Sequence, residues 1–324
     1  MNVPAPSDTA LLNRIAKQYR HLGKWARRQG LTCFRVYDGD LPDYPIIVDW
    51  MDGDAVAWIH PRKKDDTPEK TLTYRSGVIA AILGALEIPR NRLWVKERKV
   101  QEGLSYQYTK LGRRSVTRIV EENGLKFELN LSDYLDIGLF LDHRKTRQMV
   151  QELSDGLRVL NLFAYTGSFT CYAIAGGASD TLTVDLNPNY CEWARRNMAL
   201  NGTTDNGRHR VVEADCQHFL SNTRNGRFDI VVCDPPTFSN SKRKDATRLS
   251  IVDDFAELID ECLRVLDTDG ILIFSTNARG FKMDAAKLKR PATIVEITPQ
   301  TQSEDFKNRD GHRCWLIRSL PSQG

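Results

Sequence analysis

The chain has 324 residues, 41% of them hydrophobic and 27% charged, with a net charge of +4. That length fits about two domains at roughly 150 residues each, and the composition excludes a globally disordered chain. The longest uncharged apolar runs, such as Ile230–Cys233 and Ile271–Phe274, are strand-sized, far short of the ~20 residues of a membrane-spanning helix.

The opening residues Met1–Ala10 carry Pro and Asp breakers and no apolar run, so no signal peptide is expected. Seven cysteines at 33, 171, 191, 216, 233, 262 and 314 include no CxxC pair. An odd number without that spacing argues against a disulfide framework or a zinc ribbon, and points to a reducing cytoplasm. The charge is uneven. Residues 1–130 hold 22 Lys and Arg against 16 Asp and Glu, whereas residues 131–324 hold 24 against 26. The positive field therefore sits at the front of the chain, which permits a polyanionic partner.

Residues 11–29 read as a basic amphipathic helix within an N-terminal segment 1–30. Leu11, Ile15, Leu22 and Trp25 or Ala26 fall on one face, and Arg14, Lys17, Arg20, Lys24, Arg27 and Arg28 surround it. No acid occurs between Asp8 and Asp38, and Gly30 is a plausible stop. These cations, with Lys242, Arg243 and Lys244 further on, are candidates for RNA phosphates; a solvated face is the bland alternative.

Residues 31–130 predict a small α+β domain, with strands at 33–37, 45–49, 55–59, 93–96, 116–120 and 125–130 and a helix over 71–86. Asp52-Gly53 is a tight-turn signal between two of the strands. From residue 131 a larger domain follows. Beyond Leu157 the rhythm becomes strand, turn, helix: strands at 158–163, 181–185, 209–213, 228–233 and 270–275, helices at 168–175, 188–200, 216–221 and 250–266. Alternation of this kind predicts a doubly wound, mostly parallel sheet. Closing strands at 292–297 and 313–318 make seven.

In such a sheet ligands bind at the carboxyl ends of the strands. The first strand of the second domain ends in Asn161-Leu162-Phe163-Ala164-Tyr165-Thr166-Gly167-Ser168, a turn in which Gly167 lets backbone approach a ligand. Alone, this would be an ordinary βα turn. The next strand ends in Asp185-Leu186, 18 residues after Gly167, where a carboxylate can accept both ribose hydroxyls of a nucleoside cofactor. Neither GxGxxG nor GxxxxGK[ST] is present, so no pyrophosphate cradle exists. S-adenosylmethionine fits that pattern; NAD, FAD and ATP do not. Asp215-Cys216, 30 residues after Asp185, ends the third strand. Asp215 can receive an adenine amino group, cap the following helix, or do both.

The fourth strand runs into Asp234-Pro235-Pro236-Thr237-Phe238. Two prolines fix an extended loop without N–H groups, Asp234 is presented at the strand end, and Phe238 can stack on a base, as base-modifying enzymes require. Ser239, Asn240, Lys242 and Arg243 then read as a substrate rim, small donors for a base edge followed by cations for phosphates; a solvated basic loop is the alternative.

Several segments together, Gly138–Arg144, Asn161–Phe169, Asp234–Lys242, Arg279–Asp284 and the Asp305-Phe306…Asn308…His312…Cys314-Trp315 tail, resemble one family. It is the RlmK-type guanine-N7 methyltransferases, the second half of the bifunctional bacterial 23S rRNA methyltransferase RlmKL. The likeness covers about residues 11–318, and its most specific stretch is DPPTFSNSK. It implies a class I methyltransferase fold, S-adenosylmethionine as cofactor, and guanine-N7 methylation of 23S rRNA. It also implies an upstream THUMP and guanine-N2 methyltransferase module as partner, which these 324 residues do not contain.

Related enzymes that act on cytosine C5 place a nucleophilic cysteine just after the fifth strand. Here that position reads Phe274-Ser275-Thr276-Asn277, without a thiol. Cys233 precedes Asp234, but strand alternation turns it into the packing. A ring nitrogen needs no general base, so alignment carries most of the rate, and Asp234 is a candidate to stabilise the charge that develops on the purine. Asp142 and Arg144, before the first strand of this domain, are candidates to close over the methionyl carboxylate, a helix-start capping pair being the alternative. A cytosine-C5 methyltransferase and a non-catalytic RNA-binding protein are the alternatives.

Overall fold

The computed structural model describes residues 8–60, 67–97, 114–239, 249–307 and 311–320. Asn240, Lys242, Arg243 and Lys244 of the expected substrate rim, and Asn308 of the tail motif, lie outside the described residues. The chain divides into two compact units, one formed by Met1–Ile137 with Glu304–Asn308, the other by Gly138–Ser303 with Arg309–Gly324.

In the first unit, helix α1 (Thr9–Arg28) is followed by strands β1 (Cys33–Asp38), β2 (Ile46–Met51) and β3 (Asp54–Ile59), helix α2 (Pro68–Leu86), and strands β4 (Leu93–Glu97), β5 (Thr117–Glu122) and β6 (Leu125–Asn130). The first four strands form one sheet in sequence order, antiparallel except for β3 and β4; β5 and β6 form a hairpin. Leu11, Ile15, Leu22, Trp25 and Ala26 of α1 are buried in the same cluster as Val36, Ile46, Val48 and Ile82. Segment 1–30 therefore does not stand apart: its apolar stripe belongs to this core. Helix α2 begins before the expected Thr71, because Thr67 caps it by accepting from Lys70 N at 3.3 Å and Pro68 occupies the first turn. The unit continues past residue 130, since Leu131, Leu135 and Ile137 are buried and Asn130 N donates to the Ile137 carbonyl at 2.8 Å.

The second unit runs α3 (Arg144–Leu153), β7 (Arg158–Leu162), α4 (Ser168–Ala175), β8 (Asp180–Asp185), α5 (Pro188–Leu200), β9 (His209–Glu213), α6 (Cys216–Ser221), β10 (Phe228–Cys233), β11 (Phe238–Ser239), β12 (Leu249–Ser250), α7 (Ile251–Val265), β13 (Leu266–Thr276), β14 (Ala292–Glu296), α8 (Thr298–Thr301) and β15 (Arg313–Ser319). Its seven-stranded sheet has the order β14-β15-β13-β10-β7-β8-β9. The five strands from β13 to β9 are parallel, and β14 and β15 close the sheet antiparallel. This is the class I methyltransferase fold. Strand order reverses between β7 and β10, which opens a crevice at the carboxyl edge.

Among the departures from the pattern read in the sequence are β13 and α3. β13 starts at Leu266, not Gly270; the register slips between Phe228↔Leu266 and Ile230↔Ile271, so Asp267–Gly270 form an irregularity inside the strand, with Asp269 at φ 66°. Helix α3 has no counterpart in the hydrophobic pattern, because its buried face consists of Arg144, Thr146, Arg147 and Val150.

A candidate active site at the strand ends

The β7–α4 turn holds its shape through backbone that few residues adopt. Phe163, Tyr165 and Gly167 have φ of 52°, 51° and 72°, a concentration of left-handed conformers typical of binding loops. Gly167 is doubly required. A Cβ there would meet Ala194 Cβ at 2.7 Å, so α5 could not approach. Thr166 is buried and donates to the Gly138 carbonyl at 2.6 Å, while its own carbonyl accepts from Asn197 Nδ2 at 2.8 Å. Tyr165 packs edge-on against Tyr190 with ring centres 4.7 Å apart, and against exposed Phe140 at 5.1 Å. Ser168, half-buried, opens α4.

Asp185 ends β8. Its Oδ2 accepts from Tyr165 N and its Oδ1 from Asn187 N, each at 2.8 Å. Each oxygen keeps a second lone pair, enough for a vicinal diol. Burial pushes its acid constant up to about 6, against the pull of the two N–H donors. Leu186 follows it, half-buried at the same edge.

Asp215 caps α6, its Oδ1 accepting from His218 N at 3.0 Å, and remains half-buried at the end of β9. The side chains of Cys216 and Asn161 point elsewhere. The buried Cys216 thiol accepts from Phe163 N at 3.2 Å and donates to the Val184 carbonyl at 3.7 Å, so it ties two loops together and offers a ligand only its backbone. Asn161 is buried and donates to Thr170 Oγ1 at 3.0 Å, which meets Thr183 Oγ1 at 2.6 Å. Arg144 is buried and its guanidinium donates to Ser303 Oγ at 3.0 Å.

β10 delivers Asp234 next to residues that the sequence reading left without a role. Ser275 Oγ, at the end of neighbouring β13, donates to Asp234 Oδ1 at 2.6 Å. His143 Nε2 faces Asp234 Oδ2 at 3.4 Å. Burial holds His143 below the ordinary histidine range despite Asp234. A neutral ring that donates from Nε2 leaves a bare lone pair on Nδ1, and that atom is buried without a hydrogen bond among the described residues. The His312 ring lies 4.4 Å from His143; its Nε2 meets Thr301 Oγ1 at 3.1 Å and its Nδ1 faces Asp142 at 3.7 Å. Burial opposes charge on His312, but Asp142 outweighs it and raises the ring's pKa. Asp142, His143 and His312 offer metal-ligand atoms within 4.8 Å of one another. The Nε2 atoms of the two rings are turned to Asp234 and Thr301, so the group also forms part of the network that holds Asp234.

Pro235 is buried, Pro236 half-buried, and Phe238 exposed. Thr237 Oγ1 donates to Asn277 Oδ1 at 2.7 Å, and its carbonyl accepts from Ile251 N at 3.1 Å. The short β11–β12 pairing, Phe238↔Ser250 and Ser239↔Leu249, fixes where the loop leaves the sheet. Cys233 is fully buried, and burial raises its thiol well above the ordinary range, which disfavours a thiolate.

The carboxyl edge thus brings together the β7 turn, Asp185, Asp215 and Asp234. The family model described as S-adenosylmethionine-dependent methyltransferase matches residues 45–284. Among solved structures, the chain is similar to SMU.776, a methyltransferase complexed with SAH, at 21% identity and a TM-score of 0.73, covering 99% of this chain and 83% of that one. It is also similar to the SAM-dependent methyltransferase from Agrobacterium tumefaciens, at 17% identity and a TM-score of 0.55 over 85% and 87% of the two chains. The structure of aTrm5 with tRNALeu matches at 13% identity and a TM-score of 0.50, over 81% and 68%. The chain belongs to the S-adenosylmethionine-dependent methyltransferase family. Its cofactor is S-adenosylmethionine, and a diol-accepting carboxylate beside a loop without a phosphate cradle suits that molecule. No helix among the described residues is long and apolar enough to cross a membrane, and all seven cysteines are buried, none of them in a disulfide.

Proposed function

We propose that this methyltransferase modifies guanine N7 in 23S rRNA by direct transfer. The observation that carries the reading is Asp234, a carboxylate fixed from two sides by Ser275 and His143 at the root of a proline-stiffened loop that ends in exposed Phe238. S-adenosylmethionine supplies an electrophilic methyl group on a sulfonium. In this reading Asp185 accepts from the ribose, Asp215 and the Cys216 backbone serve the adenine, and the Asn161–Ser168 turn lines the methionine end. Arg144, bonded to Ser303, fixes the chain entering α3, and its charge favours a carboxylate nearby. Phe238 stacks on the guanine, with Ser239, Asn240, Lys242 and Arg243 continuing the rim.

Guanine N7 brings its own lone pair and carries no proton, so no base is required. With the cofactor held by those residues, the N7–CH3 bond would form as the S–CH3 bond breaks, and positive charge would move from sulfur to the purine. Asp234 stabilises that charge where it arises. The inert Cys233 and the thiol-free Ser275–Asn277 segment disfavour a covalent cytosine-C5 route. The RNA substrate is also supported by the likeness of fold to aTrm5, solved with tRNALeu.

The test is methyl transfer from labelled cofactor to 23S rRNA, followed by digestion to nucleosides. Label in 7-methylguanosine is the expected result. Label in 5-methylcytosine or an N2-methylated guanosine, or none with folded, cofactor-binding protein, overturns the reading.

A further inference from the structure

The first unit has a cavity of its own, about 370 Å³, within the ~300–1,000 Å³ of small-ligand sites. Three aromatic rings from three elements line it. Phe34 on β1 and Trp50 on β2 are directly opposed in the ladder. Tyr19 of α1 lies parallel to Phe34, with ring centres 6.2 Å apart and 14° between planes, and 4.9 Å from Trp50 at 53°. Phe34 is buried, whereas Tyr19 and Trp50 keep part of their surface open.

Gly23 opens the space. Glycine is unfavourable inside a helix, and here neither a left-handed φ nor a clash demands it. A Cβ would meet only Phe34 Cζ at 3.8 Å and Arg27 Nη1 at 3.9 Å, both ordinary contacts. What a larger side chain would remove is the cavity.

Arg20, Lys24 and Arg27 line the same cavity and are exposed; no described carboxylate forms an ion pair with them. Their neighbour Arg14 differs: its Nε sits 2.6 Å from Asp40, which also takes Lys307 at 2.8 Å. Arg14 therefore leaves the set of phosphate candidates on α1. Partly exposed aromatic rings beside unpaired cations form the combination by which proteins hold unpaired nucleotides.

We propose that this cavity takes one nucleobase of a single-stranded RNA segment, stacked on Trp50 and Tyr19, with the flanking phosphates on Arg20, Lys24 and Arg27. It is a second RNA contact carried by the first unit, and it rests on the RNA substrate proposed above. Asp52, the one acid lining the cavity, offers an acceptor to a base amino group.

The probe is a fluorescein-labelled single-stranded oligoribonucleotide of about ten nucleotides, titrated by anisotropy with the full chain at several salt concentrations. Gly23→Leu, which fills the cavity and removes no charge, should weaken binding about 5- to 100-fold with the salt slope unchanged. Trp50→Leu should do the same, and Trp50→Phe should restore part of the loss. Lys24→Gln with Arg27→Gln should make the slope of log affinity against log salt shallower by about 1.4, at ~0.7 per phosphate contact. SAH affinity should be unchanged throughout, which also verifies folding. If Gly23→Leu and Trp50→Leu, both binding SAH normally, hold the oligonucleotide as the parent does, the cavity is packing and the proposal falls. The same holds if a duplex of equal length binds as tightly as the single strand and no variant discriminates them. A parent that methylates rRNA while its cavity variants keep full RNA affinity sinks this inference alone. A parent that binds SAH but neither binds nor methylates RNA sinks the functional reading, and this inference with it.

Discussion

His143 Nε2 and Asp234 Oδ2 face each other at 3.4 Å, although they are far apart in the chain and belong to different segments. With Ser275 Oγ on the other oxygen at 2.6 Å, the carboxylate has one orientation. His143 is a positioning residue under the proposed function. His143→Ala should lower kcat by at most about 10- to 150-fold, the ~1.5–3 kcal/mol of a hydrogen bond to a charged group, since the 3.4 Å approach is long for one. SAH affinity should stay within error, and His143→Gln should recover part of the rate. An unchanged kcat in single-turnover assays would show that Ser275 alone suffices.

Asp185 sets a pH dependence. Its acid constant in the fold is about 6, above the ordinary 3.8, so the folded state binds this proton more tightly than the unfolded chain. The group therefore opposes folding most above about pH 6, and that opposition fades as pH falls toward 3.8. Under the proposed function ligand binding runs the other way, since a ribose diol needs the ionised acceptor. The SAH dissociation constant should rise as pH drops through about 6, approaching tenfold per pH unit. Asp185→Asn should bind weakly with no such dependence, and its amide nitrogen, which cannot accept, should lose one of the hydrogen bonds from Tyr165 N and Asn187 N, offsetting in Tm the relief of the buried charge. Calorimetry at several pH values checks all three.

Cys233→Ala should retain most methyl transfer. The thiol is buried with Cys262 and Phe274, and a small apolar replacement leaves a void of about one sulfur atom, a modest loss in Tm. Abolished turnover in a folded variant would restore the covalent route through this residue.

Gly167→Ala should lower stability by about 1–2 kcal/mol from its left-handed backbone alone, with a further loss from the 2.7 Å approach to Ala194. Adding Ala194→Gly should recover the steric part and leave the backbone part. SAH affinity should follow the same order, parent over double variant over single. A single variant as stable as the parent would mean that α5 shifts freely.

The strand-and-turn rhythm was legible because parallel strands buried on both faces read as short apolar runs, as in Ile230–Cys233, and because Asp185 and Asp234 end such runs. Both carboxylates lie where that rhythm puts them. His143, Ser275 and His312 could not be read the same way. They come from the approach to α3, from β13 and from β15's entry, and no local spacing joins them. The available signals were two stretches of the family resemblance, Gly138–Arg144 and the tail with His312, whose histidines carried no assignment. Helix α3 was hidden for a related reason: its inner face is arginine and threonine, satisfied by partners such as the Phe140 carbonyl, which accepts from Arg147 at 2.8 Å. Cys216 and Asn161 sit in the expected turns, but side-chain direction within a turn is decided by tertiary partners.

The short return segment Glu304–Asn308, which belongs to the first unit, has a consequence for biosynthesis. β1 is an edge strand, and the Arg35 N–H on its open side donates to Asp305 at 2.9 Å, across a sequence separation of 270 residues. The Arg35 guanidinium also covers the Phe306 ring at 4.2 Å. At ribosomal speeds of about 5–20 residues per second, roughly 15–50 s pass between synthesis of that strand and of the segment that seals it. A nascent chain thus lacks the Asp305 contact at this sheet edge for most of translation, with Glu121 of β5 bonded beside its start at Thr32, and truncation before residue 304 removes that contact for good.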